Sequence, residues 1–162
     1  MKNKKTALVA ILASLAIIFG YIENLFPLPI PVYGAKTGIS NIVILSAIYM
    51  LDIKYAFLIM LIKTFCSSFL FATPVTFLYS FSGGLFSIFT MLFAKKTNRL
   101  SIIGTSILGG VFHNLGQLFC AGLLLSSMNT LYYLPLLSFC GIISGFIIGI
   151  ITKTVLKKLG RI

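Results

Sequence analysis

Only a few residues of this chain have the chemistry to do more than pack. Lys63 stands inside the run LIMLIKTFCSSFLF, flanked by side chains that suit a bilayer core. A second polar group, His113, Asn114 and Gln117, interrupts the equally apolar GGVFHNLGQLF. A charge at the centre of a spanning helix costs on the order of 3 kcal/mol on insertion scales, so a partner or a ligand must offset Lys63. Two candidates follow. One is a buried pair with Glu23, the only acid on that half of the chain's apolar segments. The other is an anionic or strongly polar ligand group. Residue counting places Glu23 about two turns too shallow for easy contact, which favours the ligand. His113 and Gln117, four apart, share a helix face, and Asn114 lies three before Gln117, so the three read as one polar strip. Such a strip serves either interhelical hydrogen bonding or ligand contact.

What is missing excludes most catalysis. Glu23 and Asp52 are the only acids in 162 residues, and they fall at opposite ends of the apolar segments. That separation excludes paired-carboxylate catalysis, and magnesium-held diphosphate chemistry needs a carboxylate cluster that the chain lacks. No serine–histidine–acid set can be assembled, and GAKTG lacks the spacing of a phosphate-binding loop. Cys66, Cys120 and Cys140 lie in apolar segments without CxxC spacing, so neither a metal site nor a disulfide framework is expected. No cofactor is expected either.

The elements that must position these residues are membrane helices. The chain is 59% hydrophobic and only 9% charged, against about 25% charged in soluble domains. Six apolar segments run over approximately 6–26, 38–51, 54–72, 75–94, 101–125 and 132–156, and a span takes about 20 residues. The second segment is short. The first follows a basic MKNKK start but is too long for a signal peptide and has no A-x-A site. The net charge of +11 is not a nucleic-acid footprint, because the basic residues punctuate apolar runs. Lys2, Lys4, Lys5, Lys54, Lys95, Lys96, Arg99, Lys153, Lys157, Lys158 and Arg161 fall on one side of a six-span arrangement. The positive-inside rule makes that side, and both termini, cytoplasmic. The expected fold is an all-α integral membrane protein, a single six-helix bundle over 1–162, multi-pass in the plasma membrane and surrounded by lipid.

At about 1.5 Å per residue, Lys63 and His113 come out near mid-membrane, with Gln117 a turn further out. Glu23, Lys36 and Asn41 lie near the outer surface. Lys36 follows Gly34 at a helix start, where free N–H groups favour anions. Lys63, Lys36, Asn41, His113, Asn114, Gln117, Glu23 and Ser67 are therefore the candidate substrate-binding residues, in a pocket opening outward. Gly141, Gly145 and Gly149 make two overlapping GxxxG steps, and Ala10/Ser14 and Ala16/Gly20 are small-xxx-small pairs. These stripes serve close helix packing or the docking of another membrane subunit.

Three stretches, PLPIPVYGAKTGISNIVIL, IKTFCSSFLFATPVTFLYSFSGGLFS and VFHNLGQLFCAGLLL, resemble the Gx transporter family, whose members are often labelled heptaprenyl diphosphate synthase component I. The likeness rests on P-x-P followed by K-x-G-x-x-N (Lys36, Gly38, Asn41) and on H-N-x-G-Q (His113, Asn114, Gly116, Gln117). The chain has Val32-Tyr33-Gly34-Ala35 where the family often shows Pro-Gly. That family is similar in turn to the substrate-binding S components of energy-coupling factor transporters. The resemblance implies a six-helix substrate-binding subunit working with a transmembrane coupling subunit and ATPase subunits, and it implies Ala10, Ser14, Ala16 and Gly20 as the residues that meet the coupling subunit. Non-catalytic partnership in prenyl or quinone biosynthesis, and a solitary carrier, remain as alternatives.

Overall fold

A computed structural model describes residues 2–25 and 38–161. Six α-helices follow one another: α1 Lys2–Leu25, α2 Asn41–Met50, α3 Ile53–Phe71, α4 Pro74–Thr97, α5 Ile102–Leu124 and α6 Leu134–Lys158, with a 3-10 turn at Met128–Tyr133 before α6. Among the described residues there is no strand.

Local sequence sets the breaks. Thr73 accepts a hydrogen bond from the Thr76 amide, and Pro74 opens α4, where its missing N–H costs nothing. Asn98, left-handed at φ 51°, closes α4. Ser101 accepts from the Gly104 amide to start α5.

Five helical stretches are long and apolar enough to cross a membrane: Asn3–Leu25, Ile53–Phe71, Pro74–Thr97, Ile102–Leu124 and Asn129–Lys158. Their outward faces carry Ile11, Ile18, Leu70, Phe89, Phe93, Phe139 and Phe146, as a lipid-facing surface requires. The second predicted segment, 38–51, condenses to the ten residues of α2. At about 1.5 Å per residue this covers roughly 15 Å, half the hydrocarbon thickness. Six full spans were expected; the described helices supply five of spanning length and one of half length.

The short helix is also the most enclosed. Val43, Ile44, Leu45, Ser46, Ala47 and Ile48 are all buried, and a helix apolar all round belongs inside a bundle. α2 packs against α1, α3 and α6, while α1–α3, α3–α4, α4–α5 and α5–α6 are packed neighbours. Its C-terminal end is pinned. The Lys95 ammonium donates to the Ile48 carbonyl and lies 4.9 Å from the centre of the Tyr49 ring. The Tyr49 hydroxyl reaches Thr105 Oγ1 of α5 at 3.3 Å.

Glycines set the helix spacing on the other flank. A Cβ added at Gly110 would stand 2.4 Å from the Gly141 oxygen, one at Gly145 would stand 2.7 Å from Ile107 Cα, and one at Gly149 would stand 2.7 Å from Ile103 Cα. The GxxxG steps of α6 therefore lie against the backbone of α5 within the bundle, which is the packing role and not the docking one.

Candidate functional site

The first polar cluster forms where α1, α3 and the start of α2 meet. Lys63 Nζ lies 3.7 Å from Glu23 Oε2. Glu23 also accepts from the Ser40 amide at 2.8 Å and from the Ser40 hydroxyl at 3.2 and 3.3 Å. This corrects the expectation that Glu23 sits too shallow for Lys63. Counting residues along segments ignored the reach of the side chains. A helical side chain slants toward its own N-terminus, which brings the Glu23 carboxylate inward. One turn earlier on α1, Gly20 leaves a channel for the lysine stem. A Cβ there would lie 3.2 Å from Lys63 Cε and 2.3 Å from Ser67 Oγ. Gly20 and Glu23 are one turn apart, so the stem that passes Gly20 delivers its ammonium toward the carboxylate.

The carboxylate occupies the N-terminal end of α2. The Asn41, Ile42 and Val43 amides bond back to the carbonyls of Gly38, Ile39 and Ser40 at 2.8, 3.0 and 3.1 Å. The Ser40 amide has the carboxylate instead. An acid at a helix start is favoured by the unpaired amides and the helix dipole, so Glu23 is stabilised from two directions, by Lys63 and by α2.

Lys63 is less well served. It is 5% exposed, and 3.7 Å is an ion-pair distance but too long for a hydrogen bond. Among the described residues, no acceptor lies within hydrogen-bond distance of its ammonium. The buried hydroxyls of Ser67 and Ser68 on α3, and of Ser80 and Ser87 on α4, likewise have no partner among the described residues. Leaving a buried polar group unmatched costs about 1–3 kcal/mol.

The expected strip on α5 is split. Gln117 Nε2 lies 3.3 Å from His113 Nε2, and both face α4 at Gly83, where a Cβ would lie 2.9 Å from Gln117 Cγ and 3.1 Å from His113 Cε1. Asn114 turns to α6 and donates to the Leu137 carbonyl at 2.7 Å. A rotation of about 100° per residue separates Asn114 from His113, enough to send it to a different neighbour. Asn41 joins neither group. With Ser87, Met91, Ser106, Gly109 and Ile148 it lines a cavity of about 10 Å³ between α2, α4, α5 and α6, about the room one water needs. Lys36 lies outside the described residues.

The four small residues of α1 divide as well. Ala10 and Ser14 are exposed, and the Ser14 hydroxyl bonds its own helix at Ala10 O, 3.0 Å away. Ala16 is fully buried, and Gly20 is closed by Ser67 and Lys63. Both are enclosed within the bundle, Gly20 against α3.

Ser40 escaped the sequence reading. Its signal was present, since a serine directly before an apolar helical run is a favoured cap. Here its amide and hydroxyl serve Glu23 and not its own helix.

The family description heptaprenyl diphosphate synthase component I matches residues 12–155. The chain belongs to this family. The matched stretch contains Glu23, Ser40, Lys63, His113 and Gln117, so the whole polar interior lies within the family's region. No curated protein and no solved structure matches the chain.

Proposed function

We propose that the chain is a substrate-binding membrane subunit, similar to the S components of energy-coupling factor importers, for a small solute with an anionic or strongly polar head. The observation that carries this reading is that, among the described residues, Lys63 has unfilled donor capacity beside a Ser67 hydroxyl without a partner. An intramembrane ionisable group is costly and marks substrate pathways. Membrane transport sites commonly form at the end of a broken helix near mid-membrane, and the N-terminal end of the half-length α2 is such an end. Glu23 balances the lysine charge, so the solute supplies acceptor oxygens and need not carry a full negative charge. The His113–Gln117 pair adds polar contacts to the solute from α5.

In this reading the chain binds and does not catalyse. Its two acids are separated, Glu23 committed to Lys63 and Ser40 and Asp52 at the junction of α2 and α3, which leaves no carboxylate pair to hold magnesium. The basic ends of α1, α4 and α6 face the cytoplasm, as do both termini. ATP-driven transport then depends on a transmembrane coupling subunit and ATPase subunits, with exposed Ala10 and Ser14 as the part of α1 available to the coupling subunit.

The test is native mass spectrometry of gently purified protein to identify a co-purified solute, followed by its uptake into proteoliposomes. The isolated chain should hold the solute yet show no ATP-dependent uptake; uptake should require the coupling and ATPase subunits. Retention of no solute, or pumping by the chain alone, would refute the proposal. The family description favours one alternative, a non-catalytic membrane partner of prenyl diphosphate or quinone biosynthesis. Co-purification with a prenyl synthase in place of ATPases would decide for it.

A further inference from the structure

A second site lies at the opposite end of the bundle from the Lys63 cluster's α2 cap, on the α5–α6 seam. α5 begins at Ile102, whereas α6 runs on past the Gly149–Ile103 contact to Lys158. The overhang leaves a groove of about 720 Å³ lined by Ile103, Ile150, Lys153, Thr154, Lys157 and Lys158. Ile150, Lys153, Thr154 and Lys157 repeat at intervals of three, one and three, which places them on one face of α6. Along that face the groove is graded. Isoleucines form the end nearer the bundle centre and lysines the end nearer the α6 terminus, about 10 Å apart at helical rise.

Three ammonium groups within six residues repel one another, and among the described residues no acidic side chain pairs with them. Glu23 is held by Lys63 and Ser40, and Asp52 belongs to the α2–α3 junction. The Thr154 hydroxyl is already engaged with the Ile150 carbonyl at 2.9 Å. The end of α6 tolerates cations through its dipole, but the dipole does not explain a groove of ligand size with an apolar floor. Basic pockets between helices on the cytoplasmic side hold phosphate-bearing lipid heads.

We infer that this groove is a binding site for the phosphate headgroup of an anionic phospholipid of the inner leaflet, with an acyl chain along Ile103 and Ile150. Lys153 and Lys157 contact the phosphate, and Lys158 adds charge at the rim. The site is independent of the solute-binding reading.

The experiment is native mass spectrometry in detergent with equimolar phosphatidylglycerol and phosphatidylcholine, compared across variants. The wild type should bind phosphatidylglycerol in preference. Lys153→Gln/Lys157→Gln/Lys158→Gln should weaken that binding by at least about tenfold, given the stabilisation each juxtamembrane lysine provides. Removing three exposed charges elsewhere, with Lys4→Gln/Lys5→Gln/Lys96→Gln, should leave it unchanged. Ile150→Asn, which keeps every charge, should also weaken binding, because a lipid uses the apolar floor and a free phosphate does not. Equal binding of the two lipids by wild type, an equal loss in both triple variants, or displacement of phosphatidylglycerol by an equal concentration of inorganic phosphate would each overturn the inference.

Discussion

The α5–α6 seam and the α1–α2–α3 junction are built on opposite principles. Along the seam, Gly110, Gly141, Gly145 and Gly149 bring two backbones into direct contact. The carbonyl of Leu137 accepts a hydrogen bond from Asn114 across the seam. At the junction one glycine, Gly20, opens space for side chains in place of closing it. What enters is a lysine with a single ionic partner at 3.7 Å and a serine with none among the described residues. The seam is closed by backbone contact, while at the junction Lys63 and Ser67 have unused hydrogen-bonding capacity among the described residues. That difference separates a packing surface from a binding site more sharply than the presence of polar residues does, since both regions contain them.

The comparison can be broken in several places. Glu23→Gln should have the largest effect on stability, because it strands a buried ammonium; loss of one partner of a buried pair costs about 3–5 kcal/mol. Thermal unfolding in detergent should show this, and adding Lys63→Met in the same chain should restore most of the loss. A simple sum of two losses would contradict the pairing. Gly145→Ala should follow, at about 1–3 kcal/mol, since its methyl group meets the backbone of Ile107 and Ser106 and overpacked cores lose that much. If Gly145→Ala melts like wild type, the seam is not as tight as described. Asn114→Leu should cost about 1 kcal/mol of stability, the ordinary value of a membrane interhelical hydrogen bond, and should leave solute binding unchanged, because Asn114 turns away to α6. A loss of solute affinity in Asn114→Leu would return it to the site. Ala10→Leu should have the smallest effect on the isolated chain, within about 0.5 kcal/mol as for exposed positions generally. Its effect should appear only in assembly with a coupling subunit.

The parts legible in the sequence are those written at the level of the backbone. The GxxxG period of α6 marks a close helix contact wherever it occurs, and the structure places that contact on α5. Apolar run length gave the helices within a few residues, and the breaks at Thr73-Pro74 and Ser101 follow from capping chemistry. Family membership was legible from the H-N-x-G-Q and K-x-G-x-x-N patterns. What escaped depends on side-chain reach and on which way a residue turns. Lys63 and Glu23 looked two turns apart because residue counting measures Cα positions, while a lysine stem passing a glycine covers most of that gap. His113, Asn114 and Gln117 looked like one strip because spacing alone does not say which neighbouring helix each meets. Ala16 and Gly20 carry the same small-residue pattern for internal packing as for docking, and only burial separates the two uses.

The central claim is that the buried donors beside Gly20 bind a solute. It is tested most directly by the double variant Glu23→Gln/Lys63→Met, which removes the ion pair without stranding either charge. The measurement is the thermal shift produced by the solute that co-purifies with wild type, recorded in detergent for both proteins. The account predicts that the double variant melts close to wild type without solute and loses most of the solute-induced shift, a binding loss of about 2 kcal/mol or more, as when one side of a buried charged contact is removed. Retention of the full shift would contradict the account and leave Lys63 and Glu23 as a structural pair.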